Sequence, residues 1–488
     1  MKELVLALDQ GTTSSRALVM NPAGEVLGAA QQEINQHFPN PGWVEHNPLE
    51  IWESQLATAR LALQRARVSA RDLAAIGITN QRETALLWER RSGRPVSRAI
   101  VWQDRRTAPM LAELKAQGLE PTLRAKTGLL LDPYFSASKL AWLLQGELRN
   151  QASELCFGTV ESWLIYNLSA GQRHVSDLTN ASRTLLLNLK ELTWDPELLE
   201  IFGIPPEVLP ELVEPVGLIA ESDPGLLGAS VPIAAALGDQ QAALFGEGCT
   251  AAGMAKNTYG TGAFTVMHTG SDLVVSPGVL TTLALKTAGA PAQYALEGSI
   301  FMAGATIQWL RDGLGLLNTA AESQDLALSV PDSGGVFMVP ALTGLGAPYW
   351  DPEARGLIIG LTRGTTKAHL VRAALEAMAY QTKEVIEAMS QAGPALQELR
   401  ADGGAAENDF LLQFQADLLG VPVVRPPWRE ATARGAGRLA LVGAGVLTLA
   451  EAAAGFFAQT TFLPQENTSL NYRGWQKAVA RALAWSHE

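Results

Sequence analysis

Three short stretches of this chain carry the residue types needed to hold a phosphorylated ligand. In the first, Leu6 and Leu8 alternate as in a strand and deliver Asp9, a hard oxygen ligand for Mg²⁺, to the start of a Gly11-Thr12-Thr13-Ser14 turn. Gly11 permits a close turn around an anion. Thr12, Thr13 and Ser14 offer amides and hydroxyls to phosphate oxygens, and Arg16 adds a permanent cation. By itself such a turn is more often a plain hairpin. A second stretch, MAKNTYGTGAF from Met254 to Phe264, repeats the pattern with Thr258, Gly260, Thr261 and Gly262. The third, ADGGAAEND from Ala401 to Asp409, provides a flat glycine turn, with Asn408 as a contact for a base edge or a ribose. No Gly-Lys-Ser/Thr and no G-x-G-x-x-G spacing occurs, which excludes the commonest nucleotide loops. The three turns together predict a nucleotide held in a cleft between two similar lobes.

A phosphoryl acceptor needs a general base within hydrogen-bond reach. Asp239, in LGDQQAALFG, follows the apolar run Ile233 to Leu237 and a flexible Gly238, a placement that exposes a carboxylate at a strand end. The same Gly-Asp pair also reads as a helix cap ahead of QQAALF. Arg82 and Glu83 follow the strand Ile76 to Thr79 and either grip hydroxyls as donor and acceptor or form a surface ion pair. Tyr134 offers a hydroxyl. Trp102 and Phe264 offer aromatic faces, although aromatic residues in strands are more often core.

The elements that must position these residues are legible as an α/β pattern. Strands at Leu4 to Leu8, Arg16 to Met20 and Val26 to Ala30 form an antiparallel meander, and a helix capped by Asn47 runs from Pro48 to Arg67. Ala75 to Thr79 and Ala99 to Trp102 read as buried strands completing the first sheet. In the second half, strands at Ala255 to Thr258, Phe264 to His268 and Val279 to Leu285 precede a long helix, Leu370 to Ala392. This loose repetition predicts lobes over 1–247 and 248–488, with the Pro- and Gly-rich Ile204 to Pro232 approaching the junction. Leu439 to Ala450 is an uncharged run of 12 residues, short of the ~20 a membrane span needs, and is expected to be a buried helix.

With 488 residues and 47% hydrophobic content the chain has ample core for two or three domains. Its net charge of −12, spread without runs, argues against nucleic acid and anionic membranes as partners. Two cysteines, Cys156 and Cys249, and no signal-like N-terminus fit a reducing cytosol. Asp332 to Gly335 reads DSGG, but no matching histidine base motif accompanies it, and it is expected to be a turn. His37 and His46 flank Trp43 at a spacing that suits no metal site.

Across these stretches the chain resembles the FGGY carbohydrate kinases of the actin/Hsp70-type ATPase superfamily, and among them the glycerol kinases. The matching segments run nearly end to end: GWVEHNP from Gly42, GITNQRET from Gly77, AIVWQDRRT from Ala99, DPYFSASKL from Asp132, TNASRT from Thr179, GDQQAALFG from Gly238, KNTYGTG from Lys256, ALEGSIFMAGATIQWLRD from Ala295 and TGLGAPYWDP from Thr343. Two signature patterns also occur, one as Tyr134, Ser136, Lys139 and Trp142, the other over Gly356 to Glu376. The resemblance implies two ribonuclease-H-like lobes around an interlobe active site and Mg²⁺-dependent transfer of the ATP γ-phosphoryl group to a terminal hydroxyl of glycerol. It assigns Arg82, Glu83, Trp102, Tyr134, Asp239, Gln240 and Phe264 to glycerol, with Asp239 as base and Gln240 orienting a hydroxyl. To nucleotide it assigns Thr12, Thr13, Ser14, Arg16, Thr261, Gly304, Gln308, Gly404 and Asn408, and to Mg²⁺ Asp9 and Asp239. It implies a cytoplasmic homo-oligomer, a dimer or tetramer. Glu407 and Ala263 stand where relatives vary or carry cysteine. Competing readings are a kinase for another polyol or a pentulose, and an actin- or Hsp70-like nucleotide switch, which would need no polyol pocket.

Some glycerol kinases are inhibited by fructose 1,6-bisphosphate through a basic glycine loop, whereas the corresponding Ser222 to Pro232, SDPGLLGASVP, contains no Lys or Arg and carries Asp223. Activity at saturating substrates is therefore expected to be flat across millimolar fructose 1,6-bisphosphate, and saturable inhibition in either dimer or tetramer fractions would refute this.

Overall fold

The computed structural model describes residues 3–428, 430–454, 460–465 and 471–486. Two sheets organise them. The first has six strands in the order Val216–Glu221, Pro232–Gly238, Leu73–Asn80, Leu4–Gln10, Ser14–Met20 and Val26–Glu33. The second has seven: Leu280–Leu285, Gln293–Ile300, Ala263–Gly270, Met254–Tyr259, Glu398–Asp402, Val423–Arg425 and Thr460–Phe462. In each, a strand turns tightly into an antiparallel neighbour and also pairs in parallel with a strand from later in the chain.

That shared plan places the functional loops. Register aligns Gln10 with Asn80 and Asn80 with Gly238, so the segments beginning at Gly11, Gln81 and Asp239 leave the first sheet side by side at the carboxyl ends of its parallel strands. In the second sheet Thr258 aligns with Asp402 and Ala263 with Ile300, which brings the turns at Gly260, Gly403 and Phe301 to one edge.

The local predictions held where local chemistry decides. Asn47 caps the helix Pro48–Ala66, its side chain accepting from the Leu49 amide, and the helix Lys367–Ala392 covers the second sheet's core. Asp332 accepts from the Gly334 amide at 2.7 Å, as a turn does. Three elements differ. Ala99–Ile100 pairs with Glu45–His46 outside the central sheet, and its expected place is taken by Pro232–Gly238, the long buried apolar run that a central parallel strand requires. Val216–Glu221, inside the stretch expected to approach the junction, is the edge strand of the first sheet. Leu439 to Ala450 is not one helix: Ala431–Gly443 ends in a turn through Gly445 at φ 72°, and Leu449–Ala454 follows. Arg60, from the helix Pro48–Ala66, donates from Nε and Nη2 to the Leu226 carbonyl at 3.1 and 2.9 Å, and so lends one cation to a loop that has none of its own. No helix among the described residues is long and apolar enough to cross a membrane.

The helix Ala431–Gly443, although late in the chain, packs on the first sheet, where Ala433, Ala436, Leu439 and Ala440 share a core with Val5, Ala7, Ala75 and Ala234. It crosses the helix Asp239–Gly246 with backbones in contact: a Cβ at Gly435 would lie 2.0 Å from the Ala242 carbonyl oxygen, and one at Gly246 1.9 Å from that of Ala431. Alanine normally favours a helix over glycine, but here the added methyl has no space. Gly435→Ala is therefore expected to destabilise the protein by about 1 to 3 kcal/mol, and a thermal midpoint at or above that of the parent would contradict this packing.

Candidate active site

At the carboxyl end of the strand Leu73–Asn80, the loop after Asn80 carries Arg82 and Glu83, both almost fully buried, with Glu83 in a left-handed conformation at φ 61°. A non-glycine residue is held there only when its surroundings over-determine it. The surroundings are ionic. Arg82 donates from Nη1 and Nη2 to Glu297 at 2.6 and 3.0 Å, and its Nε lies 3.1 Å from the Asp239 carboxylate. Arg183 donates from Nε to Glu83 at 2.7 Å and from Nη2 to Glu297 at 2.8 Å. Arg82 and Glu83 are thus buried members of a two-arginine, two-glutamate cluster, which rules out the surface-pair reading. Burial pushes Glu83 upward against the opposing arginines, whereas for Glu297 the fields of Arg183 and Arg82 outweigh burial and hold the carboxyl at about 2.

Asp239 opens the helix Asp239–Gly246 and accepts from the Gln240 amide at 2.7 Å, so it serves the helix start and still presents its carboxylate. Its side chain is 33% exposed, against 2% or less for the other four members of the cluster. Gln240 receives the Lys256 ammonium on Oε1, and the same ammonium donates to Thr258 at 2.8 Å. Trp102 packs edge-on against Tyr134 and Phe264 at 5.4 and 6.4 Å between ring centres, while Arg82 Nη2 reaches the Tyr134 hydroxyl at 3.5 Å. Lys139 donates to the carbonyls of Pro133, Tyr134 and Phe135, fixing the loop that presents Tyr134.

The two hydroxyl-rich turns lie against this cluster. Trp102 Nε1 donates to Thr12 at 3.0 Å, and the Gly11 amide closes the first turn on the Ser14 carbonyl at 2.9 Å, with Thr13 exposed. Arg16 is engaged by Glu430 and by Gln31. The second turn rests on the start of the helix Gly304–Asp312: the Ala303 amide donates to Thr261 O and the Gly304 amide to Gly260 O, each at 2.9 Å. A Cβ at Gly304 would come within 2.6 Å of Gly260 O, so glycine is required, and Gln308 is exposed further along the same helix. Gly404 has open space on its Cα face, following Gly403 at φ 89°. Asn408 is differently placed from a free base-edge contact. Its Oδ1 caps the helix Asp409–Leu419 by accepting from Leu411 at 3.0 Å, and its Nδ2 donates to Ser323 at 3.2 Å.

Asp9 is the candidate Mg²⁺ ligand. Burial raises its carboxyl to about 7, Arg16 opposing and Asp239 and Glu430 reinforcing the shift. A carboxyl held up by burial, with a second carboxylate beside it, is one that a divalent cation would ionise, and oxygen donors of this kind suit Mg²⁺ completing its shell with phosphate and water. Among the described residues no group of three or more His, Cys, Asp or Glu forms an all-protein metal cage.

Beneath the site lies a second polar network that the sequence reading missed. Asp177 accepts from Thr179 Oγ1 at 2.5 Å and from Asn180 Nδ2 at 2.6 Å, while the Gly238 amide donates to Thr179 Oγ1 at 3.0 Å, one residue before Asp239. Asn180 and Asn80 exchange amide hydrogen bonds at 2.9 and 3.0 Å, tying this segment to the strand that delivers Arg82. Arg183, Glu297 and Lys256 also went unassigned, although Arg183 stands in TNASRT, Lys256 in KNTYGTG and Glu297 in ALEGSIFMAGATIQWLRD.

The N-terminal domain model of the FGGY family of carbohydrate kinases matches residues 4–246, and the C-terminal domain model matches 255–444. The chain belongs to the FGGY family of carbohydrate kinases. It is 56% identical to a glycerol kinase of Citrifermentans bemidjiense and 55% identical to one of Aromatoleum aromaticum, with 99% of each chain covered in both cases. Among solved structures, a Plasmodium falciparum glycerol kinase with ADP superposes with a TM-score of 0.93 at 32% identity over 98% of each chain. A xylulose kinase from Lactobacillus acidophilus, 23% identical, shares the fold with a TM-score of 0.88, covering 98% of this chain and 96% of its own. This FGGY kinase thus has the two-domain α/β architecture expected from its sequence, one mixed sheet in each domain.

His46, buried behind the loop that carries Arg82 and 3.4 Å from Gln81 Nε2, is lowered to about 4 by burial, with His37 adding to the shift. The unfolded chain takes up this proton near its ordinary value of 6.5 while the folded chain resists, so stability is lost as pH falls from about 6.5 to about 4. His174 and His268 are lowered to about 4 by burial as well, so His46→Gln should reduce that acid limb in denaturant titrations by the share of one histidine, and an unchanged slope would show that the His46 imidazole takes up its proton equally in the folded and unfolded chain.

Proposed function

We propose that this FGGY kinase phosphorylates glycerol, using ATP to give sn-glycerol 3-phosphate and ADP. The observation that carries the reading is the exposure of Asp239: its side chain is 33% exposed beside an otherwise buried ionic cluster, with the Arg82 guanidinium at 3.1 Å. The similarity to glycerol kinases over almost the entire chain supports the same choice of substrate.

A three-carbon triol presents hydroxyls along one edge and C–H groups along the other. Arg82, Glu83 and Gln240 supply donors and acceptors for the first edge, and Trp102, Tyr134 and Phe264 supply aromatic surface for the second. Asp239 accepts the proton of the terminal hydroxyl as its oxygen attacks the γ-phosphorus, and the bond to the ADP oxygen breaks. The turns at Thr12, Thr13 and Ser14 and at Thr261 hold the phosphates with amides and hydroxyls, while Gly304, Gln308, Gly404 and Asn408 border the rest of the nucleotide. When bound through Asp9 and Asp239, Mg²⁺ neutralises charge on the phosphate oxygens. The same reading gives a cytoplasmic enzyme at the first step of glycerol catabolism, working as a homo-oligomer.

Asp239→Asn should keep glycerol and ATP binding close to that of the parent but lower kcat by roughly 10² to 10⁴, the scale for losing a positioned base. Near-normal turnover in the purified variant would remove Asp239 from the role. ADP release measured with and without glycerol separates this reading from a nucleotide switch, whose hydrolysis would ignore the triol.

A further inference from the structure

Two charged side chains of the C-terminal domain, both fully shielded from solvent, reach across to the acceptor residues of the N-terminal domain. Glu297 stands on the strand Gln293–Ile300 and takes both terminal nitrogens of Arg82, at 2.6 and 3.0 Å. Lys256 stands on the strand Met254–Tyr259 and donates to Gln240 and to Thr258. The strand between them in the second sheet, Ala263–Gly270, carries Phe264, the aromatic partner of Trp102. Three neighbouring strands of the nucleotide-side sheet therefore each send one residue into the acceptor side.

We propose that Glu297 and Lys256 are positioning residues for the phosphoryl acceptor, Glu297 acting through Arg82 and Lys256 through Gln240, so that the acceptor pocket is complete only when the two domains meet. The inference rests on the acceptor assignment of Arg82 and Gln240 made above. Its physical basis is the cost of an unpaired buried charge. Arg82 has no room to turn toward water, so its orientation is set by the carboxylate that takes its two nitrogens, and a bidentate pair fixes direction as well as charge. Glu297 also holds Arg183, which in turn grips Glu83, so a single carboxylate from the opposite domain orients both members of the Arg82–Glu83 pair. Lys256 does the same for an uncharged partner. By occupying the Gln240 carbonyl oxygen it leaves the Gln240 amide group as the end free to donate to a substrate hydroxyl. The second acceptor of Lys256, Thr258, leads into the Gly260–Gly262 turn, which links the acceptor contact to the phosphate contact through one ammonium.

The test is calorimetric titration of glycerol, and separately of ADP, into the full-length parent, Glu297→Gln and Lys256→Met. Glu297→Gln is expected to weaken glycerol binding roughly ten- to a hundred-fold, the range for losing a charged hydrogen-bond partner, and Lys256→Met by a smaller factor, with ADP affinity unchanged in both. A purely structural role would weaken both ligands together. Unchanged glycerol affinity in the two variants, or parallel loss of glycerol and ADP, overturns the proposal. Should Glu297→Gln fail to give folded protein, Lys256→Met decides alone. Failure of both to fold also overturns it, because positioning presupposes a scaffold that stands without the positioner. If the parent itself binds ADP but no glycerol, the acceptor assignment falls and this inference with it.

Discussion

Charges taken out of water must be paired, and in this kinase that requirement ties together four side chains from three distant parts of the chain. Arg82 and Glu83, Arg183, and Glu297 balance at two positive and two negative, and none has an alternative partner in solvent. Each ion therefore dictates the position of the segment that carries it. The loop after Asn80, the TNASRT segment and the strand Gln293–Ile300 are held at one point, and that point lies beside Asp239. Bidentate pairing fixes the direction of a guanidinium as well as its charge, so the segments cannot shift independently.

Around this anchor the two sheets repeat one device. A strand delivers its last residues to a tight turn, and a parallel neighbour delivers a second loop at the same level, so functional groups far apart in sequence emerge together. The first sheet uses this for Gly11, Gln81 and Asp239, the second for Gly260 and Gly403. Trp102 joins the two ends of the site, its ring against Tyr134 and Phe264 and its indole N–H on Thr12.

Features determined by local chemistry could be read from the chain directly. The meander over Leu4–Met20, the Asn47 cap and the glycine turns depend on a few adjacent residues, and they occur where those residues predict them. Sheet membership was less accessible, because Ala99–Ile100 and Pro232–Gly238 are both apolar runs and only pairing distinguishes them. The ion cluster was least accessible: Glu297 sits in an ordinary-looking strand, and nothing adjacent to it announces Arg82 or Arg183. Asn408 shows the opposite case, since an Asn before Asp409 and an apolar helix is a strong capping signal, and the local cap is what forms.

The contact between the helices Asp239–Gly246 and Ala431–Gly443 is made by peptide groups, with glycine on both sides. A contact between peptide groups has no rotamer that can give way, so at that point the separation of the two helices is fixed by the thickness of the backbone alone. Asp239 begins one of these two helices, so the placement of its carboxylate leans on a spacer of constant width that no neighbouring side chain can adjust.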